Sequence, residues 1–190
     1  MDKNNNGSFT ANLYVNGLPV VLNQQRLKLK LRDPRITRRV QLEAETGLAD
    51  KRASRLITLA DHEDDKPLLF TFTAQGDSYA ITVSLRGIYD QARLVIEPGT
   101  HDLLVSTTER SEFFSISKMG VLRATLIDFE TGPAYIDLAT ESNQIPLYKT
   151  VINGMSVFKN VDPNLTGHTA FNNKPVIFVM KIIDKLPLSA

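Results

Sequence analysis

Cysteine is absent from the 190-residue chain. That excludes a disulfide framework, a thiolate nucleophile and a thiolate metal site, and it fits a reducing compartment. No apolar run approaches the roughly 18 residues of a spanning helix. Residues 1–10 are polar and Asn-rich instead of basic and then apolar, so neither a membrane span nor a Sec-type signal peptide is expected. The implied location is cytoplasmic, or outside the cell by release without a signal peptide. A strong charge of one sign is missing as well: the net charge of +1 gives no overall field to draw in nucleic acid. Gly-x-Ser-x-Gly, the P-loop and Gly-x-Gly-x-x-Gly do not occur. No catalytic residue, no cofactor and no enzymatic activity are therefore expected.

What is present is ordinary globular material. Apolar residues make up 42% of the chain and charged residues 23%, which argues against global disorder. A chain of this length buries roughly 70% of its unfolded surface. One domain is the expectation.

The organising feature is a repeated stretch. Lys66-Pro67-Leu68-Leu69-Phe70-Thr71-Phe72 returns as Lys174-Pro175-Val176-Ile177-Phe178-Val179-Met180, with a weaker copy, Arg110-Ser111-Glu112-Phe113-Phe114-Ser115-Ile116, between them. Each has a charged or polar lead-in, a phenylalanine in fifth place and another apolar residue two further on. Recurrence of one strand-like unit points to a repeat architecture.

Hairpin signals surround these copies. Phe9, Ala11, Leu13 and Val15 alternate with polar residues before Asn16-Gly17, and Gly76, Pro98-Gly99, Gly132 and Asn153-Gly154 each separate two short apolar runs. Residues 122–129 read as a strand paired across Gly132. Leu27, Leu29 and Leu31 interleave with Arg26, Lys28, Lys30 and Arg32, the pattern of a half-buried strand with one basic face. Asp33-Pro34 then supplies a turn, and Val40, Leu42 and Ala44 resume the alternation. Residues 45–54 read as a loop or a short helix, because good helix formers surround Gly47. Short strands at regular spacing make an all-β fold, either a barrel or an antiparallel β-sandwich. The boundaries read as a disordered tail at 1–8, a single β domain at 9–184 with repeats at roughly 9–75, 76–118 and 119–184, and a second tail at 185–190.

Three units of four strands, each ending on a strand with an inward aromatic, resemble the β-trefoil superfamily over nearly all of residues 9–183. The resemblance implies three repeats closed around an axis, and a lectin-like or inhibitor-like role. The chain has no Trp for the Gln-x-Trp of ricin-B-type lectins and no Cys for the disulfides of Kunitz-type inhibitors, so the likeness stops at the superfamily.

Two sets of polar residues are candidates for binding. Arg26, Lys28, Lys30, Arg32, Arg35, Arg38 and Arg39 place seven positive charges against Asp33 alone. They form a ridge suited to an anionic partner, although without aromatics to stack nucleic-acid bases. The second set is Asp77, Tyr79, Asp128, Tyr135 and Asp137, at equivalent places in repeats two and three around the first hairpin. In a trefoil lectin a carboxylate with a neighbouring aromatic holds a sugar by hydrogen bonds and stacking. Each of these residues also has a plainer use, as turn former or core edge. The acidic loop at Asp61, Glu63, Asp64 and Asp65 lacks the spaced ligands and glycine of a calcium loop. His62, His101 and His168 are scattered through polar loops, so no metal site is expected.

These features point to a non-enzymatic binding protein, lectin-like, that recognises glycan through surface loops, a module of the kind used in toxins and defence proteins. The alternatives are a protein-directed inhibitor with residues 162–173 as a wedge, and a self-associating structural subunit. The expected partner is a glycan or a protein surface, with no nucleic acid and with oligomerisation allowed.

Overall fold

A strand that alternates apolar and polar side chains buries one face and wets the other. The computed structural model describes residues 7–108, 112–129, 132–162 and 174–186 and holds twelve strands among them, of which Phe9–Val15, Ser78–Ser84 and the start of Ala134–Thr140 show that alternation plainly. The first third of the chain runs β1 (Phe9–Val15) and β2 (Leu18–Leu22), then three helices, α1 (Asn23–Arg32), α2 (Arg38–Ala49) and α3 (Lys51–Arg55), then β3 (Ile57–Leu59) and β4 (Leu69–Gln75). The second third holds β5 (Ser78–Ser84), β6 (Arg93–Ile96), β7 (Leu103–Ser106) and β8 (Phe113–Lys118). A 3-10 turn at Leu126–Phe129 leads to β9 (Ala134–Thr140), β10 (Tyr148–Ile152), β11 (Met155–Lys159) and β12 (Phe178–Lys185).

The first and fourth strand of each third close a barrel. Its order is β1, β12, β9, β8, β5, β4 and back to β1, with every pairing antiparallel. Closure leaves these strands no free edge. The second and third strands pair with each other as β2 with β3, β6 with β7 and β10 with β11. The fold is therefore all-β, a closed six-strand antiparallel barrel carrying three outer strand pairs, and the same strand, pair, strand order recurs three times.

The repeated stretch becomes β4, β8 and β12. Phe70, Phe114 and Phe178 are all buried and belong to one continuous core cluster. Each contributes ~1.5–3 kcal/mol by leaving water. At one end of the barrel Phe9 stacks on Phe72 with ring centroids 4.8 Å apart, and Tyr79 meets Phe9 edge-on at 5.6 Å. The Asn-Gly turns have the left-handed backbone that a tight hairpin requires, with φ of 50° and 83° at Asn16 and Gly17 and of 50° and 78° at Asn153 and Gly154. A carboxylate fastens the outer elements: Asp102, whose side chain is 6% exposed, accepts from Arg52 of α3 and from Lys159 of β11.

Three expectations are corrected. Residues 26–32 are helical, not a strand, and so are Val40, Leu42 and Ala44. The residues of α1 are mostly strong helix formers, with no β-branched residue, glycine or proline. Only Leu27 of its three leucines is fully buried, while long Lys and Arg stems cover apolar surface and mimic a strand's alternation. Pro34 disfavours helical backbone at Asp33 and stops α1 there. The Thr37 hydroxyl then caps α2 by accepting from the Val40 N–H, and Asp50 caps α3 by accepting from Arg52 and Ala53 N–H groups. Residues 45–54 thus lie in α2 and α3, apart from the cap Asp50 between them, and the helices form an insertion between β2 and β3.

The second correction concerns residues 122–129, which form turns and the 3-10 segment, so that β9 and not this stretch opens the third repeat. The third concerns the tails. Residues 1–6, 187–190 and most of the polar stretch at 162–173 lie outside the described residues. Ser8, however, is tied in: its hydroxyl accepts from the Ala74 N–H and its carbonyl from the Leu186 N–H. Lys185 pairs with Phe9 inside the β1–β12 ladder. Among the described residues no helix is long and apolar enough to cross a membrane.

Candidate functional site

The side chains of β9 alternate about the barrel wall. Ala134, Ile136 and Leu138 point to the core and are buried, whereas Tyr135 and Asp137 take the opposite face. Ser117 of β8 is the ladder partner of Asp137, and Val179 of β12 is the partner of Tyr135. Ile177, one residue ahead of β12, and the turn carrying Met119, Gly120 and Leu122 complete a hollow of about 360 Å³. Gly120 has φ of 79°, a conformation that lets the chain turn back sharply after β8.

The chemistry of this hollow is amphipathic. The Tyr135 ring is 62% exposed, and Met119 and Leu122 are 89% and 83% exposed. Asp137 is half-buried between them and makes no hydrogen bond or ion pair with any described residue. Burial holds its carboxyl above the usual carboxylate range. An aromatic face thus lies beside an acceptor that has lost water and gained no partner. That is the combination a hydroxyl-bearing ring satisfies, by stacking and by donating to the carboxylate.

The other three residues of this predicted set have different work. Asp77 is held by Arg123, whose Nε and Nη2 donate to its two oxygens at 2.6 and 2.8 Å. The guanidinium keeps the Asp77 carboxyl below its ordinary value, and the same arginine reaches Glu141 at 2.9 Å. Asp128 caps the 3-10 turn, its Oδ2 accepting from the Thr125 N–H at 2.8 Å, while its carbonyl accepts from Lys118 Nζ. Tyr79 is fully buried, and burial pushes its phenol up to about 12.

Tyr79 and Tyr135 are therefore not equivalent, which corrects the expectation that they share a repeat position. In the ladders Phe114 faces Tyr79 and Phe178 faces Ile136, so Tyr79 matches Ile136. Tyr135 is one residue off, and one residue in a strand changes the face. The structure puts Tyr135 and Asp137 on one face of β9, while Asp77 and Asp128 are engaged in hydrogen bonds and Tyr79 is buried in the core. Sequence reasoning missed Met119 and Leu122, and only their place on either side of Gly120 hinted at a turn. Ile177 was visible as the outward neighbour of Phe178 in the repeated stretch.

The basic residues lie on α1, in the turn after it and at the start of α2, and four of the seven are in ion pairs. Arg26 and Lys30 pair with Asp61 at 3.2 and 3.5 Å, Arg35 with Asp33, and Arg39 with Glu43. Lys28, Arg32 and Arg38 have no ion pair among the described residues. Among those residues no three His, Asp or Glu side chains converge as metal ligands, and His168 lies outside them. Comparison with protein-family models, with curated proteins and with solved structures finds no match.

Proposed function

We propose that the chain is a non-enzymatic binding protein of the β-trefoil type that holds a sugar ring of a glycan between Tyr135 and Asp137. The observation that carries this reading is the unpartnered, half-buried Asp137 carboxylate beside the exposed Tyr135 ring. Both stand on a barrel strand, so a rigid scaffold fixes their spacing and little side-chain order is lost on binding. The trefoil assignment rests on topology: strands one and four of each third build the barrel, and strands two and three form the outer pairs. A glycan array followed by calorimetric titration of the best ligand tests the function. Binding that is lost in both Tyr135→Ala and Asp137→Asn supports it, and an array without hits removes it.

A protein surface is the second reading. It is favoured by Met119, Leu122 and Ile177, which leave a contiguous apolar rim around the same hollow. Such a rim serves an inhibitor that docks on a target or a subunit that self-associates. Concentration-dependent sedimentation abolished by Leu122→Ser selects self-association over glycan recognition.

A further inference from the structure

We propose a second site, independent of the Tyr135 groove and sharing no residue with it: a pocket for a sulfate or phosphate ester of a small carbohydrate. It is an open cleft between α1 and the ends of β4 and β5, with a volume of about 650 Å³, within the range of small-ligand pockets. Four cations line it: Lys28 and Arg32 from α1, Lys66 from the lead-in to β4, and Arg86 just past β5. No carboxylate is among the lining residues. None of the four side chains makes an ion pair or hydrogen bond with a described residue.

Their isolation is specific to this place. Lys28 and Arg32 lie one helical turn apart and share a face of α1. The other cations of that helix, Arg26 and Lys30, share the single carboxylate of Asp61. Like charges gathered without counter-charge repel one another, and a bound anion reverses the sign of that interaction. An ester oxyanion is the group that guanidinium and ammonium donors fit together.

The ligand also needs a donor. Gln25, in the same lining, donates its Nε2 hydrogen to the Lys66 carbonyl at 2.9 Å, and its Oε1 is buried without a partner. Inorganic sulfate carries no donor to satisfy that oxygen, whereas a sugar hydroxyl does. Ser84 adds a further hydroxyl to the lining. The lining contains no aromatic side chain on which a nucleic-acid base would stack. Carbohydrate esters are therefore favoured over oligonucleotides.

The test titrates the full chain with a sulfated disaccharide, a hexose phosphate, inorganic phosphate, inorganic sulfate and a single-stranded oligonucleotide at one fixed ionic strength. The wild type is expected to bind a sugar ester more tightly than either inorganic ion, and whether sulfate or phosphate esters win identifies the source of the ligand. Lys28→Gln with Arg32→Gln is expected to weaken that binding by ~10-fold or more, as loss of charge-assisted hydrogen bonds does. Arg38→Gln with Arg39→Gln removes the same charge outside the pocket and is expected to leave it unchanged. Arg86→Gln repeats the first test from a strand end, should the helix variant fail to fold. Equal weakening by the two double variants, tighter binding of the oligonucleotide, or no saturable binding of either sugar ester overturns the proposal.

Discussion

Replacing Asp137 by Asn keeps the shape of the side chain and removes its charge, and it separates a binding role from a structural one. In the folded chain burial raises the Asp137 carboxyl above its ordinary value, and no described residue offers a hydrogen bond in return. A raised folded value means that the native state holds the proton more tightly than the unfolded chain does. The stability contributed by this group is thus fully present below the unfolded carboxylate value of about 3.9 and is lost as pH rises through the folded one. The charged carboxylate is a cost at neutral pH, and the neutral amide of Asp137→Asn does not carry it.

The variant is therefore expected to be as stable as the wild type at pH 7 or more so, and to lose that advantage on acidification to about pH 4, where the wild-type carboxyl is becoming neutral. For a chain of this size each kcal/mol shifts Tm by roughly 2–4 °C, so the difference is readable by scanning calorimetry at the two pH values. Ligand binding moves in the opposite direction. A hydrogen bond to a charged acceptor is worth about 1.5–3 kcal/mol, and its loss weakens a glycan ~10-fold to 150-fold. Destabilisation of the variant by more than about 1 kcal/mol at pH 7 would show that the carboxylate holds the fold together, and the reasoning would fail.

Other expectations follow from the same structure. Phe70→Ala, Phe114→Ala and Phe178→Ala are each expected to cost ~3–5 kcal/mol in urea unfolding, because each leaves a cavity in the same core. A cost below about 1 kcal/mol at any one of them contradicts the three-fold packing. Tyr135→Ala is expected to change stability by less than about 0.5 kcal/mol, as a wetted ring on the outer face should, whereas Tyr79→Ala should cost as much as the phenylalanines. Asp102→Ala removes the carboxylate partner of Lys159 and leaves Arg52 paired with Glu97 alone, and it is expected to cost about 1.5–3 kcal/mol, as loss of hydrogen bonds to a charged group does. Arg123 lowers the Asp77 carboxyl, so that pair contributes stability above about pH 3.9 and loses it as pH falls through the folded value. Asp77 is half-exposed, and solvent limits the effect of Asp77→Asn in acid titration to about 1 kcal/mol or less.

The barrel was legible in the sequence where one rule acted alone. Phe70, Phe114 and Phe178 stand in short alternating runs, and Asn16-Gly17 and Asn153-Gly154 specify tight turns through backbone conformation. The insertion between β2 and β3 was not legible, because Leu27 to Arg32 satisfies a two-residue period as well as a helix propensity. The signals that decide for the helix are the caps at Thr37 and Asp50, which are polar residues with common uses elsewhere. The groove was half legible. Tyr135 and Asp137 were visible as an aromatic and a carboxylate two apart on one strand face, but Tyr79 looked the same and differs by one residue of register. Lys28 and Arg32 were visible only as two charges in seven. Their isolation depends on Asp61 reaching Arg26 and Lys30 and not them, a long-range arrangement that spacing does not encode.

The proposed function puts the glycan on the outer wall of the barrel, at Tyr135 and Asp137. Amide and side-chain NMR shifts recorded during titration with the best glycan-array ligand test it most directly. Saturable shifts are expected to concentrate at Ser117, Leu122, Tyr135, Asp137 and Ile177 and to be absent in Asp137→Asn. Saturable shifts confined to another face, or undiminished in that variant, would contradict it.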